Sequence, residues 1–332
     1  MYPLKFQAVF KDYLWGGRNL ARLGKVLPTE GVVAESWEVS CHPAGVSVVA
    51  NGQYAGSSLA DLIAQYPVEI LGTAVNLKYG AKFPLLVKLI DANQKLSVQV
   101  HPDDSYALKQ EREFGKHEMW YIIAAQPGAR IIYGLLPGIT KEEFAAKAAT
   151  AEVESCLQYL EVTAGDVIDI PPGTVHALGA GIMLAEIQQN SNATYRLYDY
   201  ERVDATGKKR PLHVEKALEV IDFTSETGAK IRHGAPEQLA PGVTKTILST
   251  NFHFEVDLYN INGTVTENSA GDRFYIYTVL EGAGRIDWQD GITPVRQGES
   301  VLIPANLGQY QLTGTWQGLK SFATAKLKSV GI

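Results

Sequence analysis

The sequence predicts a mainly β protein built as two related β-barrel lobes with a small helical insertion, and three observations carry that prediction. Short runs of alternating apolar and polar residues, broken by Gly, Pro, Asn and Asp turns, recur along the chain. The pattern Gly165-x5-Pro171-x-Gly173-x2-His176 returns as Gly298-x5-Pro304-x-Asn306-x2-Gln309, so strand, proline corner and return strand keep one spacing twice. A length of 332 residues is also long for one core. We place the first lobe at residues 1–235 and the second at 246–332, joined through a Thr-, Gly-, Ala- and Pro-rich stretch from about Thr224 to Val243.

Taken in order, residues 1–60 read as short strands and turns, with Tyr13 to Arg18 a glycine-broken aromatic turn and Glu35 to Ser40 alternating like a strand. Trp15 and Trp37 belong in core or rim positions, and His42, before Pro43, in a turn. Leu59, Leu62 and Ile63 share a helical face within Ser57 to Tyr66, which Pro67 stops. Phe83 to Ile90 is a β-rich apolar run that contains Lys88, either at a solvated strand end or projecting into a polar cleft. Asp103-Asp104-Ser105 offers an N-cap for a helix running to about Phe114. Thr140 to Ala149 reads as the inserted amphipathic helix, with Thr140 as N-cap and Glu143 three residues on. Pro211 to Ile221 is a further short helix, and the rest of the chain is strands and tight turns.

Composition excludes several classes. Hydrophobic residues at 45% and charged residues at 20% suit a globular chain with an ample core. A net charge of −6 argues against a nucleic-acid-binding face, which needs a basic stripe. No apolar run approaches the ~20 residues that span a bilayer, and Met1 to Phe6 lacks a signal-peptide apolar region. Cys41 and Cys156 alone make no disulfide framework and no paired-cysteine metal site. The expected compartment is the cytoplasm, the expected partner a small molecule, and no oligomeric state is read.

The chemistry concentrates around Leu96 to Pro102. In a strand, Ser97, Gln99 and His101 share one face and Val98 and Val100 the other. Pro102 ends that strand just past the histidine. In the strand after Gly115, Lys116, Glu118 and Trp120 share a face, with His117 and Met119 opposite. A carboxylate inside an apolar strand needs a partner, and a metal would supply one. His176 follows a Pro-Pro-Gly corner whose backbone is over-determined, which suits a preorganised ligand. Together Gln99, His101, Glu118 and His176 make an N2O2 donor set. Zinc is the first guess, with Mn, Fe and Co open. Arg196, among tyrosines, reads either as a surface cation–π residue or as a clamp for phosphate or an enediolate oxygen.

At these residues the sequence resembles the cupins, and more specifically the short bacterial form of the type I mannose-6-phosphate isomerases. The likeness runs through Trp15-Gly16-Gly17, Glu35-Ser36-Trp37, Pro84 to Lys88, Leu96 to Pro102, Gly115 to Glu118, Pro171 to Ala177 and Tyr195 to Tyr200. It implies jelly-roll lobes and a metal held by Gln99, His101, Glu118 and His176. It also implies an active-site Arg196, with Lys88, Ser97 and Lys116 lining a sugar-phosphate pocket. The activity implied is interconversion of mannose 6-phosphate and fructose 6-phosphate through a cis-enediol. The chain departs from the family at His117, where many members have proline. For the proton transfer, Lys116, a metal-bound water and a carboxylate stay open. The competing readings are a cupin dioxygenase and a non-catalytic sugar-binding cupin.

Overall fold

The computed structural model describes residues 1–150, 152–203, 206–224, 230–231 and 233–325. Two antiparallel sheets form the N-terminal lobe. One has six strands, among them Glu35–Val39, Leu85–Ala92, Ile182–Gln189 and Glu118–Ala125, with Val167–Ile170 at its edge. The other has five, and sets Tyr195–Tyr198, Val98–Val100 and His176–Leu178 side by side. Ile90, Trp120, Ile122 and Leu184 from the six-stranded sheet and Ile131, Tyr133 and Leu178 from the five-stranded one share one buried core. The period-2 alternation explains this layering, because each strand turns alternate side chains inward.

The C-terminal lobe is a single eight-stranded antiparallel sheet. Its longest strands are Phe254–Ser269, Tyr275–Trp288 and Gly308–Ala323. Tyr259, Ile261, Tyr277, Ile286, Tyr310, Leu312 and Trp316 pack against one another on its inner face. A third core joins the lobes, with Leu85, Val87 and Met119 against Phe254, Val256 and Phe274. We propose the same two-lobe division as the sequence suggests, with one exchange: Leu4–Lys5 pairs with Leu302 and Val301, inside the C-terminal sheet. Parts of the expected connection, and the chain beyond residue 325, lie outside the described residues.

The expected helices form, slightly shortened. Ser58 caps Leu59–Gln65 by accepting from Asp61 N, and Asp103 caps Asp104–Gln110 through Tyr106 N. Thr140 caps Lys141–Ala149 through Glu143 N, while the Glu143 side chain pairs with Lys147 at 2.8 Å rather than closing a capping box. Pro67 does end one helix, yet it also opens the next, Pro67–Leu71, from its first position, where its missing N–H costs nothing. The helix Thr73–Tyr79, which has no side-chain N-cap and ends at Gly80 with φ of 63°, is not among the expected helices.

The repeat is real in backbone but shifted in side chains. Gly165 and Gly298 both take positive φ, 90° and 78°, ahead of their corners. In the first lobe the left-handed residue of the corner is Gly173, three before His176; in the second it is Gly308. The return strand of the second lobe therefore turns Gln309 outward, where it is exposed, and puts Tyr310 inside. Spacing pointed to Gln309 as the counterpart of His176, and the inward counterpart is its neighbour.

Candidate metal centre and active cleft

Cross-strand pairing gathers the donors. Gln99 pairs with His176 on one side and Arg196 on the other, so residues far apart in sequence become direct neighbours across three strands. Glu118 enters from the other sheet, opposite Ile170, the residue before the proline corner. The nearest ligand atoms of His101, Glu118 and His176 all lie within 4.8 Å of one another. Nε2 of His176 stands 3.2 Å from Glu118 Oε1, and Nε2 of His101 stands 3.5 Å from Oε2.

Hydrogen bonds set the tautomers. Nδ1–H of His101 donates to the Ala193 carbonyl and that of His176 to the Thr174 carbonyl, each at 2.9 Å. A carbonyl can only accept, so both Nε2 lone pairs face the carboxylate. Burial, and then Lys116, push His101 down to about 3, which keeps it neutral. Burial alone would raise Glu118, but the Lys116 ammonium beside it holds it well below the usual range. Three electron-pair donors therefore converge, none of them turning a hydrogen of its own toward the others.

The convergence leaves a demand for a cation. Glu118 is 0% exposed, and neither of its oxygens accepts a hydrogen bond. Lys116 Nζ lies 2.7 Å from Oε2 and 3.0 Å from His101 Nε2, a charge contact without hydrogen-bond alignment to the carboxylate. Gln99 Nε2 approaches His176 Nε2 at 3.3 Å; turning the amide over would present its oxygen instead. Imidazole, carboxylate and amide-oxygen donors in this arrangement fit a divalent metal.

Beside the cluster lies a cleft of about 240 Å³, lined among others by Ser97, Gln99, Lys116, Arg196 and Lys88. Every residue expected at the site is thus brought to one place. Arg196 Nε donates to Ser97 Oγ at 3.2 Å and Nη1 to the Pro211 carbonyl at 2.8 Å, with no carboxylate ion-paired to it among the described residues. Burial, and then the neighbouring Arg210, lower its pKa, so an incoming anion would be favoured there.

Lys88 occupies the polar cleft rather than a solvated end, and it is not free. Its ammonium sits 2.8 Å from Glu186 Oε1 and 3.8 Å from Glu35 Oε2. Burial would lower its pKa, but the two carboxylates raise it, so it stays charged. Two indoles complete the array: Trp120 donates to Glu186 Oε2 at 2.8 Å, and Trp37 to Glu35 Oε2 at 2.6 Å. Trp15 is core, as expected, but also walls the cleft. Sequence reasoning missed Glu35, Glu186 and Arg210. The signal for Glu186 was present, an acid inside the apolar strand Ile182–Gln189, the same argument that singled out Glu118.

His117 points away from the cluster, as alternation requires. Its Nε2 lies 3.0 Å from Asp169 Oδ2, and its ring packs edge-on against His253 and Phe254 of the C-terminal lobe. The residue that departs from the family pattern therefore serves the seam between lobes.

A family model described as phosphomannose isomerase type I, catalytic domain, matches residues 3–126. Another, described as mannose-6-phosphate isomerase, cupin domain, matches residues 244–323. The mannose-6-phosphate isomerase ManA of Bacillus subtilis is 40% identical over 313 residues, covering 94% of this chain and 96% of that one. This chain belongs to the type I phosphomannose isomerase family. Within it, the mannose-6-phosphate isomerase of Streptococcus mutans is 39% identical over 314 residues, 94% of this chain and 95% of its own. A crystal structure of the mannose 6-phosphate isomerase from Bacillus subtilis superposes with a TM-score of 0.89 at 35% identity, covering 97% of this chain and 99% of that one. The family places both lobes in the cupin fold and makes the protein an isomerase, so the dioxygenase and binding-only readings are not favoured.

Proposed function

We propose that the cleft interconverts mannose 6-phosphate and fructose 6-phosphate by moving a proton between C2 and C1 through a cis-enediol, in the cytoplasm. One divalent metal, zinc first, would be held by Gln99, His101, Glu118 and His176. The observation that supports it is the juxtaposition of a cation-demanding donor cluster with an arginine that has no carboxylate of its own. When bound, the metal supplies Lewis-acid polarisation of substrate oxygens.

The chain's residues divide the remaining work. Arg196, steadied by Ser97 and the Pro211 carbonyl, offers its guanidinium to the oxygen that gains charge in the enediolate, or to phosphate oxygens. Lys116 lies against Glu118, 2.7 Å from Oε2, and serves there to balance the carboxylate's charge. Lys88 is held protonated by its two carboxylates. Between the remaining candidates, a water supplied by the metal and a carboxylate, Glu186 is our assignment for the proton transfer: it borders the cleft, with Lys88 and Trp120 fixing its plane.

Steady-state kinetics with mannose 6-phosphate on metal-loaded protein tests the reading. Turnover is expected, and Arg196→Lys, which keeps the charge and loses the planar fork, should lower kcat by ~10²-fold with a smaller change in KM. A raised KM at constant kcat would make Arg196 a phosphate anchor only. Wild-type protein that carries metal but turns over no sugar phosphate would overturn the function.

A further inference from the structure

Strand register shows that the C-terminal lobe repeats the catalytic wall with its charges exchanged. In the first lobe Glu186 pairs with Lys88 on one side and Trp120 on the other. In the second, Lys320 pairs with Asp257 on one side and Tyr277 on the other. Glu118 lies opposite Ile170, just before Pro171, as Tyr275 lies opposite Ile303, just before Pro304. His176 lies opposite Gln99, as Tyr310 lies opposite Glu267. The ladders thus set Lys320 in the place of Glu186, and Glu267, Tyr275 and Tyr310 in the places of three metal-ligand candidates.

The Lys320 ammonium reaches into that ligand region. Its Nζ donates to Glu267 Oε2 at 2.7 Å and to Tyr259 Oη at 3.4 Å, and stands 4.3 Å from the centre of the Tyr275 ring. Tyr259 Oη donates to the other Glu267 oxygen at 2.7 Å. The cation is therefore ringed by a carboxylate, a phenol oxygen and an aromatic face, each a favourable neighbour for positive charge. Nearby, Asp257 is 3% exposed, shares the face of Lys320, and its Oδ1 accepts no hydrogen bond. The surroundings were built for a cation, and one ammonium does not saturate them.

We propose that the interior of the C-terminal lobe is a cation site filled from within by the Lys320 ammonium, where the first lobe offers its donors to a metal. The lobe is then closed without metal, and its cation cannot dissociate. The chemistry of an outside occupant follows: a small alkylammonium that replaces the lost side chain.

The test uses the full-length, metal-loaded protein with Lys320→Ala, which removes three methylenes and the ammonium. Its unfolding midpoint should fall by ~10 °C, the scale of leaving a buried ion-pair partner uncompensated. Turnover below that midpoint should be unchanged. Added n-propylammonium, the missing fragment, should restore a substantial part of the midpoint beyond its effect on wild type, and 1-propanol should not. Lys320→Met fills the volume without charge and should stay destabilised with either additive, while Lys320→Arg should lie closer to wild type than Met does. If Lys320→Ala fails to fold, the Met and Arg pair decides. A Met variant as stable as wild type, or equal rescue by propanol, would show that volume rather than charge matters and would sink the proposal.

Discussion

The two lobes share a proline corner, a strand ladder and an inward-facing polar cluster, and they treat charge in opposite ways. In the N-terminal lobe, both histidines turn lone pairs toward Glu118, whose oxygens accept no hydrogen bond and meet only the unaligned Lys116 ammonium 2.7 Å from Oε2. In the C-terminal lobe, Glu267 receives Tyr259 on one oxygen and Lys320 on the other. The lesson is that one backbone can hold a reactive or an inert interior. What decides is whether the strand residues complete their own hydrogen bonds and ion pairs. An incomplete set is costly in a buried place unless a ligand completes it. That cost is the mark of a site.

The comparison can be broken most severely at His176. Replacing it with Ala should abolish stoichiometric metal and lower turnover by ~10³-fold or more, at or above the top of the range for losing one electrostatic contact. The far-ultraviolet spectrum should change little, because Pro171, Pro172 and Gly173 shape the corner without the imidazole. Metal analysis beside kinetics checks this. Full zinc with full turnover would remove His176 from the set.

A smaller effect is expected from Asp257, which stands in the ladder where the first lobe has Lys88. Burial, and then Glu255, raise its carboxyl from 3.8 to about 6, despite Lys245 and Lys320 nearby and with Glu267 adding to the rise. A raised carboxyl contributes stability below its unfolded value, and that contribution is lost as pH rises through about 6. Asp257→Asn should therefore gain about 1–3 kcal/mol at pH 8 and almost nothing at pH 4. Denaturant unfolding at the two pH values measures the difference. An equal effect at both would mean that ionisation of Asp257 is not the cause.

The smallest effect sharpens the comparison most. Gln309→His restores the sequence repeat, yet the side chain faces solvent, so the variant should bind no second metal and change stability by no more than about 0.5 kcal/mol. A metal found by anomalous scattering in the C-terminal lobe of that variant would show that the corner can turn its register.

The sequence by itself determined what short-range rules govern. Period-2 alternation set Ser97, Gln99 and His101 on one face and turned His117 away from Glu118. Ser58, Asp103 and Thr140 start helices because their side-chain oxygens meet backbone N–H groups within three residues. The proline corner at Pro171 and the acid in an apolar strand at Glu118 pointed to the site for the same local reasons. Only the tertiary structure decided the partners across strands. Lys88 meets Glu186 98 positions away, and Lys320 meets Glu267 across 53. It also decided that Leu4–Lys5 crosses to the other lobe and that Tyr310, not Gln309, faces inward. Register is the physical reason: a slip of one residue reverses every side chain in a strand, and turn geometry with burial of the whole sheet, rather than any local run of residues, chooses between the two settings.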